Sequence, residues 1–279
     1  MISTKPEQQT VRLVHTGNAD NQIIVIPGGP GLTLEYLKPF HDHLTSDSYE
    51  VISYDPAGTV TSKKPSPEGI TDLAEELDQL VNQIKKGGKL IMIGHSVSAS
   101  VVLEYAINSN QPDVIILSNG FVSGQDLRLA YQKRSEAFGE DFNTRYADYR
   151  RNRNPESLWS LMHDYWIPNY FFRYAPPTEE MQVSLANFSL SDVPAKFIGE
   201  DFFDMQGAFI DWTAEERLDQ LSCQVHLFSG TNDYMDFESL KSMQAKFKEA
   251  TLDIIPNTSH SPFIENPDGY FKSIKSYLP

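Results

Sequence analysis

Ser96 is the first residue whose position suggests chemistry, because it stands where an apolar strand gives way to a helix. Residues 90–93 read Leu-Ile-Met-Ile, which predicts a buried strand, and residues 97–107 have the pattern of a helix. A serine at such a junction occupies a sharp turn that exposes its hydroxyl group beside the helix N-terminus. The Gly-His-Ser-Val-Ser segment at 94–98 is a weak signal alone, since serine is common in turns. It makes Ser96 the candidate nucleophile.

Two loops further along the chain supply the partners that a serine nucleophile needs. A positioned base must remove the hydroxyl proton, and a third group must orient that base. Where a serine occupies such a turn, an acid and then a histidine follow it along the chain. Asp233 comes after the predicted strand 225–228, and His260 comes after the predicted strand 252–255. We therefore predict Asp233 as the acid and His260 as the base that act with Ser96.

Two neighbouring residues have competing interpretations. Asp236 is a rival for the acid role, but it also stands where it could cap the helix predicted to begin near Phe237. His95 lies beside the nucleophile inside the turn, where packing explains it. The other histidines are interpreted as surface or core residues.

Backbone donors for a negatively charged oxygen are predicted at two places. Attack of a serine on a carbonyl carbon creates an oxyanion that needs hydrogen-bond donors. The N–H of Val97, next after the nucleophile, is one donor. The second is predicted in the Pro-Gly-Gly-Pro-Gly loop at 27–31, because glycine lets a backbone amide approach a ligand closely. Gly29 is the predicted donor, and Gly28 is the reserve.

Short apolar strands alternate with helices around these residues. Strands are predicted at 11–15, 23–26, 51–54, 90–93, 114–117, 225–228 and 252–255, and helices at 33–44, 71–84, 97–107, 237–248 and 267–277. This alternation predicts the α/β class, with a mostly parallel central sheet flanked by helices. Ligands bind such sheets at the carboxyl ends of the strands, where the candidate residues lie.

The alternation stops between residues 121 and 220. This stretch holds 19 of the 32 aromatic residues, including all three tryptophans. We predict residues 1–120 and 221–279 as the core that contains the sheet and residues 121–220 as an inserted helical cap over the carboxyl ends of the strands. Most of the aromatic residues would form the interior of the cap, and Trp166 is predicted to contact the substrate.

Composition excludes several classes of partner. Lys and Arg number 23 against 38 Asp and Glu, so the formal net charge of −15 argues against binding to nucleic acid or to an anionic membrane. Cys223 is the only cysteine, which excludes an intrachain disulfide and a cysteine-based zinc site. No signal peptide is visible in residues 1–9, so a cytoplasmic location is expected. No metal or cofactor is predicted, and the oligomeric state is left open.

The motifs together resemble those of α/β-hydrolases of the proline iminopeptidase group. The loop at 27–31 resembles that group's His-Gly-Gly-Pro-Gly oxyanion loop, and residues 54–58 with Ser62 resemble its Asp-Gln-Arg-Gly-x-Gly-x-Ser loop. Residues 230–233 and 260–267 resemble its acid and histidine regions. The resemblance implies a serine peptidase that releases an N-terminal residue from short peptides.

Several positions depart from that group. Pro27 replaces the histidine of the oxyanion loop, and Pro56, Ala57 and Val60 replace the glutamine, arginine and second glycine of the next loop. The turn at 94–99 instead resembles those of the strigolactone and karrikin receptors and of a related bacterial stress-signalling hydrolase.

An aminopeptidase must also hold the terminal ammonium group of its substrate, which requires carboxylates near the nucleophile. Residues 179–219 contain ten acidic and two basic residues, and residues 196–203 resemble the cap segment that carries an amine-binding glutamate in the family. The resemblance therefore implies that Glu200 binds the amine, with Asp201 or Asp204 in that role if the alignment shifts. A solvated helix face is the alternative interpretation of each.

The predicted function is that of a serine hydrolase that forms an acyl-enzyme without a cofactor. The leading substrate is a short peptide or amino-acid amide with a free N-terminus. A carboxylesterase or lactonase acting on small esters is the alternative, favoured by the altered turn and the missing histidine. A slow-turnover ligand sensor that signals through a protein partner is a further alternative.

Overall fold

The computed structural model describes residues 12–279, which fold around one seven-stranded sheet. The strands are β1 (Leu13–Thr16), β2 (Asn21–Ile26), β3 (Tyr49–Tyr54), β4 (Leu90–His95), β5 (Val114–Ser118), β6 (Gln224–Gly230) and β7 (Thr251–Ile255). Their order across the sheet is β1-β3-β2-β4-β5-β6-β7, and all neighbours are parallel except β1 and β3. The predicted α/β fold with a mostly parallel sheet is confirmed. Val11 and the polar segment 1–9 lie outside the described residues.

Helices cover both faces of the sheet. They are α1 (Lys38–His41), α2 (Ile70–Ile84), α3 (Val97–Asn108), α4 (Gly124–Glu136), α5 (Glu140–Asn152), α6 (Pro155–Leu161), α7 (Glu179–Phe188), α8 (Val193–Ile198), α9 (Phe237–Ala245), α10 (Pro262–Glu265) and α11 (Pro267–Ser276). A wider π-helix, Met162–Phe171, continues α6, and 3₁₀ turns occupy Leu34–Tyr36, Asp42–Leu44 and Glu215–Gln220. Within residues 12–279, no helix has the length and apolar character needed to cross a membrane.

The strands pack against two apolar cores, because successive side chains of a strand point to opposite faces. Ile24 and Ile26 of β2 pack with α2 and α3 on one face, whereas Ile23 and Val25 pack with α11 on the other. Burial on both faces explains why these strands read as continuous apolar runs in the sequence.

The helix predicted at 33–44 is wrong as a single element. The structure divides this segment into a 3₁₀ turn at 34–36, the one-turn helix α1 and a second 3₁₀ turn at 42–44. Pro39 in the first turn of α1 explains the break, since proline has no N–H to donate to a preceding turn. The first 3₁₀ turn carries Tyr36, which is fully buried.

Residues 121–220, inserted between β5 and β6, fold mainly as helices. Within that range, all of which is described, strand pairing is limited to an isolated bridge between Ser123 and Thr213. Aromatic side chains form the interior of the segment, as where Trp166 stacks on Tyr131 with ring centroids 4.2 Å apart. The helices of this segment form one wall of the cavity at the carboxyl edge of the sheet.

Candidate active site

The turn between β4 and α3 holds Ser96 in a strained backbone conformation. Its φ of 57° and ψ of −124° lie outside the regions that L-residues usually occupy. Glycines make room for the turn: a Cβ atom at Gly94 would lie 2.3 Å from the Ser98 carbonyl oxygen, and one at Gly28 would lie 2.8 Å from the Ser96 Cβ atom. Such strain costs about 1–3 kcal/mol and persists where the surrounding structure enforces it. Here the Ser96 N–H donates to the Ser118 carbonyl oxygen at 2.8 Å.

His260 and Asp233 lie within hydrogen-bond distance of each other and in line with Ser96. The Ser96 Oγ atom is 3.0 Å from His260 Nε2, and His260 Nδ1 is 2.9 Å from Asp233 Oδ1. Asp233 follows β6 and His260 follows β7, and both strands run parallel to β4, so their carboxyl ends lie at the same edge of the sheet. The structure thus brings together the three side chains that the sequence singles out.

The carboxylate of Asp233 fixes the tautomer of His260. A carboxylate only accepts hydrogen bonds, so the proton of a neutral His260 ring is on Nδ1, and the lone pair of Nε2 faces the Ser96 hydroxyl group. Both His260 and Asp233 are almost fully buried. In this arrangement the imidazole can take the hydroxyl proton directly.

Four donors surround the buried Asp233 carboxylate. Besides His260, the Tyr234 N–H donates to Oδ1 at 2.7 Å, and Asn119 Nδ2 and Ser229 Oγ donate to Oδ2 at 2.8 and 3.1 Å. Buried polar groups are stable only when they are hydrogen-bonded in this way. The bonds fix the orientation of the carboxylate toward the imidazole.

Two residues in this network are not singled out by sequence patterns. Asn119 follows β5 at the same sheet edge, and the polar run Ser-Asn-Gly at 118–120 after an apolar strand is the signal that could have identified it. Arg134 of α4 donates to the backbone carbonyl oxygens of Asp233 and Tyr234 at 2.9 and 3.0 Å. No local sequence pattern predicts the contact of Arg134 with this loop, because only the tertiary structure brings α4 next to it.

Asp236, the rival acid, caps α9. Its Oδ1 atom accepts the Ser239 N–H at 2.8 Å, and its carboxylate forms an ion pair with Lys133. Burial opposes ionisation, but the hydrogen bonds from Lys133 and Ser239 outweigh it and lower the pKa of Asp236 to about 2. The structure therefore gives Asp236 a capping position and brings Asp233 to His260.

Gly29 and Val97 both line the cavity beside Ser96. The Val97 N–H is at the first position of α3, where amides have no partner within the helix. The Gly29 N–H makes no hydrogen bond to any residue from 12 to 279. The Gly28 N–H, in contrast, donates to the Tyr36 hydroxyl group at 2.7 Å. Gly29 and Val97 are thus free to bind a ligand oxygen, whereas the amide of Gly28 is occupied.

An apolar cavity of about 350 Å³ opens over Ser96 and His260. Its aliphatic and aromatic lining consists of Leu32, Val97, Phe121, Leu127, Tyr131, Leu158, Trp159, Met162, Ile167, Phe171, Phe172, Met181, Leu185, Phe188, Pro194, Ala195, Ile198, Phe202, Met205, Phe209 and Tyr234. The polar side chains of the lining are those of Ser96, His260, His95, Ser189, Ser191 and Ser261. Among the described residues, no Asp, Glu, Lys or Arg lines this cavity.

The carboxylates expected to bind an ammonium group lie outside this cavity, which corrects that expectation. Glu200 is exposed to solvent, and Asp201 and Asp204 are engaged elsewhere. Their partners are the Tyr146 hydroxyl group for Asp201 and the Arg128 guanidinium for Asp204, at 3.0 and 2.9 Å. Within residues 200–204, Phe202 is the residue that lines the cavity, and none of its three acidic neighbours does.

Trp166 also lies outside the cavity lining, contrary to its predicted contact with substrate. Its fully buried ring is in contact with Tyr131 and Tyr170, at centroid distances of 4.2 and 4.8 Å. Tyr131 lines the cavity in front of it, so Trp166 supports the wall from behind. Trp159 is the tryptophan that reaches the cavity.

The chain belongs to the alpha/beta hydrolase family, whose family model matches residues 23–272. A proline iminopeptidase from Saccharolobus solfataricus is 23% identical over 274 residues, which cover 96% of this chain and 87% of that protein. These findings agree with the observed fold.

Solved structures share the fold. The structure of VinJ has a TM-score of 0.86 at 20% identity, covering 98% of this chain and 96% of that one. A proline iminopeptidase from Mycobacterium smegmatis has a TM-score of 0.83 at 16% identity, covering 95% and 93%. An esterase from Exiguobacterium antarcticum has a TM-score of 0.69 at 16% identity, covering 96% and 94%. Peptidases and esterases are thus both similar to this chain, and the fold alone does not choose between their substrates.

Proposed function

We propose that this protein is a serine hydrolase of compounds with an uncharged, apolar acyl group, and that a carboxylic ester fits its cavity best. The observation that carries the proposal is the hydrogen-bonded series from Ser96 Oγ through His260 to Asp233. A serine hydroxyl group is a weak nucleophile without an adjacent base, and this series supplies one.

The proposed reaction has two halves. His260 Nε2 takes the Ser96 proton as Oγ attacks the carbonyl carbon, and the resulting oxyanion accepts hydrogen bonds from the N–H groups of Gly29 and Val97. The imidazolium then gives its proton to the leaving alcohol oxygen, the ester C–O bond breaks, and the acyl group remains on Ser96. Water, deprotonated by His260, attacks the acyl-enzyme, the acyl C–Oγ bond breaks as the imidazolium returns the proton to Ser96 Oγ, and the acid is released. Asp233 stabilises the imidazolium in both halves.

The lining of the cavity supports an uncharged acyl group. An ammonium group in this cavity would lose its hydration, and no carboxylate of the lining is there to compensate it. An apolar group instead gains about 25 cal/mol for each Å² that it removes from water. The volume of about 350 Å³ is at the lower end of the range found for small-molecule sites.

Aminopeptidase activity is the second candidate function. The similarity to a proline iminopeptidase over 96% of this chain favours it. It would require a carboxylate to reach the cavity. Glu200 and Asp201, which stand between the lining residues Gly199 and Phe202, are two carboxylates directly adjacent to that lining along the chain.

A pair of anilides separates the two candidates. Proline p-nitroanilide and cyclopentanecarboxylic acid p-nitroanilide have the same ring shape, but only the first carries an ammonium group. We expect the purified protein to have the higher kcat/KM on the cyclopentane compound and to hydrolyse its p-nitrophenyl ester faster still. A preference for the proline compound would support the aminopeptidase instead.

Ser96→Ala is the control for both substrates. It should abolish hydrolysis and also labelling by a fluorophosphonate probe, since both depend on the hydroxyl group. Labelling that persists in Ser96→Ala, or a wild-type protein that hydrolyses none of these compounds, would refute the proposed hydrolase.

A further inference from the structure

Two buried side chains behind Ser96 are not used by the proposed reaction. Tyr36 and His95 have 0% and 3% of their surface exposed. The Tyr36 hydroxyl oxygen lies 2.7 Å from both the Gly28 N atom and His95 Nδ1, and His95 Nε2 lies 2.8 Å from the His260 carbonyl oxygen. A hydrogen-bond chain therefore runs from the loop at 27–31, behind the nucleophile, to the backbone of the base.

The chemistry of the two ends allows one arrangement of protons in this chain. The Gly28 N–H can only donate, and the His260 carbonyl oxygen can only accept, so His95 Nε2 carries a proton. Burial lowers the pKa of His95 well below its usual value, which leaves the ring neutral and its Nδ1 an acceptor. Tyr36, whose pKa is raised by burial, then accepts from Gly28 and donates to His95.

Ser98 holds the other end of the same peptide unit. Its Oγ atom donates to the Pro27 carbonyl oxygen at 2.5 Å, while the Gly28 N–H of that unit donates to Tyr36. Because a peptide unit is planar, two bonds at its opposite ends fix its orientation. The next amide along the chain is that of Gly29, one of the two proposed oxyanion donors.

We propose that Tyr36 and His95 are positioning residues that fix the positions of the Gly29 amide and the His260 imidazole on either side of Ser96. The proposal rests on the proposed function of Ser96. Displacement of a reacting group by about 1 Å costs about 100-fold in rate, and loss of one oxyanion donor costs about 100- to 1000-fold. Keeping His95 neutral also matters, because its ring lies 5.0 Å from that of His260, where positive charge develops during the reaction.

Tyr36→Phe tests the chain, with Tyr49→Phe as a control. Tyr49 is also a buried tyrosine, but its hydroxyl group donates to the Pro279 carbonyl oxygen at the amino end of β3, the opposite end of the sheet from Ser96. We expect Tyr36→Phe to lower kcat for p-nitrophenyl butyrate about 10- to 100-fold, with KM changed less than about twofold. Tyr49→Phe should lower the thermal midpoint and leave kcat within about threefold. Equal kcat values in the two variants would overturn the proposal.

Two variants of His95 provide a rescue test. A glutamine at this position can donate from its amide nitrogen to the His260 carbonyl oxygen, whereas leucine cannot. We expect His95→Gln to retain about ten times more kcat than His95→Leu. Equal losses in two variants of similar thermal midpoint would show that His95 acts through packing alone.

The tautomer of His95 can be read without any substrate. Nitrogen-15 NMR of the full-length protein labelled in its histidine rings should show His95 protonated at Nε2 and not at Nδ1, with an Nδ1 signal that shifts in Tyr36→Phe. A proton on Nδ1 would refute the arrangement. Because this readout needs no catalysis, a wild-type protein that hydrolyses no ester but shows the Nε2–H tautomer would refute the proposed hydrolase and leave the hydrogen-bond chain standing.

Discussion

The carboxyl edge of the sheet and the inserted segment 121–220 face each other across one cavity, but they contribute different side chains. The sheet edge supplies Ser96, Asp233 and His260, held by directional hydrogen bonds between the loops that follow the parallel strands β4, β6 and β7. The inserted segment supplies mostly aliphatic and aromatic surface. Proton transfer needs fixed directions, which a rigid sheet provides, whereas an apolar wall needs only shape. If the protein has the proposed activity, we therefore expect the first region mainly to set the reaction and the second to set the range of substrates.

The two regions are not independent, because the inserted segment also holds the loops of the sheet edge. The His260 N–H donates to the Tyr170 carbonyl oxygen at 2.8 Å, and the Phe171 ring packs nearly perpendicular to the His260 imidazole at a centroid distance of 4.9 Å. Arg134 holds the loop of Asp233 from the same side. A change in the position of these helices would thus shift His260 as well as change the shape of the cavity.

The largest effect is expected where the sheet edge is altered chemically without a change of shape. Asp233→Asn should lower kcat by about 10⁴-fold, the loss measured for the equivalent change in a serine protease, because the amide favours the wrong imidazole tautomer. Steady-state kinetics on p-nitrophenyl butyrate measures this loss. Asp236→Asn is the control, since Asp236 caps α9, and its kcat should stay within about threefold of the wild type. If Asp236→Asn were the more damaging change, the assignment of the acid would be wrong.

A smaller effect is expected from the opposite wall. Phe202→Glu places a carboxylate in the apolar lining, and we expect it to lower kcat/KM for p-nitrophenyl butyrate by about 10- to 100-fold through the cost of desolvating the charge. It should also raise the relative activity toward proline p-nitroanilide, whose ammonium group would gain a partner.

Phe202→Gln separates charge from shape in that experiment, because glutamine has nearly the same volume as glutamate. Only the glutamate variant should shift selectivity toward the proline compound. An identical shift in both variants would mean that the loss of the aromatic ring, and not the electrostatics of the wall, controls selectivity. The inserted segment would then select substrates through the shape of the cavity and not through its lack of charge.

The two regions also differ in how much of them the sequence predicts. The strands and the positions of Ser96, Asp233 and His260 follow from apolar runs and from residues directly after them, which are local signals. The orientation of side chains in the inserted segment is not local: only tertiary packing decides that Phe202 lines the cavity and that the acidic residues beside it do not. The acidic count over 179–219 and the resemblance of residues 196–203 to an amine-binding segment therefore predict ammonium ligands that the cavity lining does not contain.

Polar contacts between segments that are distant in the sequence cannot be predicted from local patterns either. The hydroxyl group of Tyr36, in the 3₁₀ turn before Pro39, contacts Gly28 and His95, which are 8 and 59 residues away along the chain. The prediction that His95 is a packing residue does not include its hydrogen bonds, because both partners are distant from it in the sequence. Ser98, a departure from the usual motif, has a contact with Pro27 that a motif alone does not reveal.

The smallest effect expected is one of stability, and it tests whether Asp236 belongs to the scaffold. Its folded-state pKa of about 2 is below the ordinary value of 3.8, so its charged form stabilises the folded protein at pH values above about 4, and this contribution is lost as the pH falls through about 2. For a partly exposed ion pair with Lys133 we expect a loss of up to about 1 kcal/mol in Asp236→Asn at pH 7. Urea unfolding of the wild type and the variant between pH 7 and pH 2.5 should show the difference in unfolding free energy shrinking with acidity. A difference that stays constant over this range would mean that the amide disturbs the cap of α9 through its shape, with no contribution from the charge.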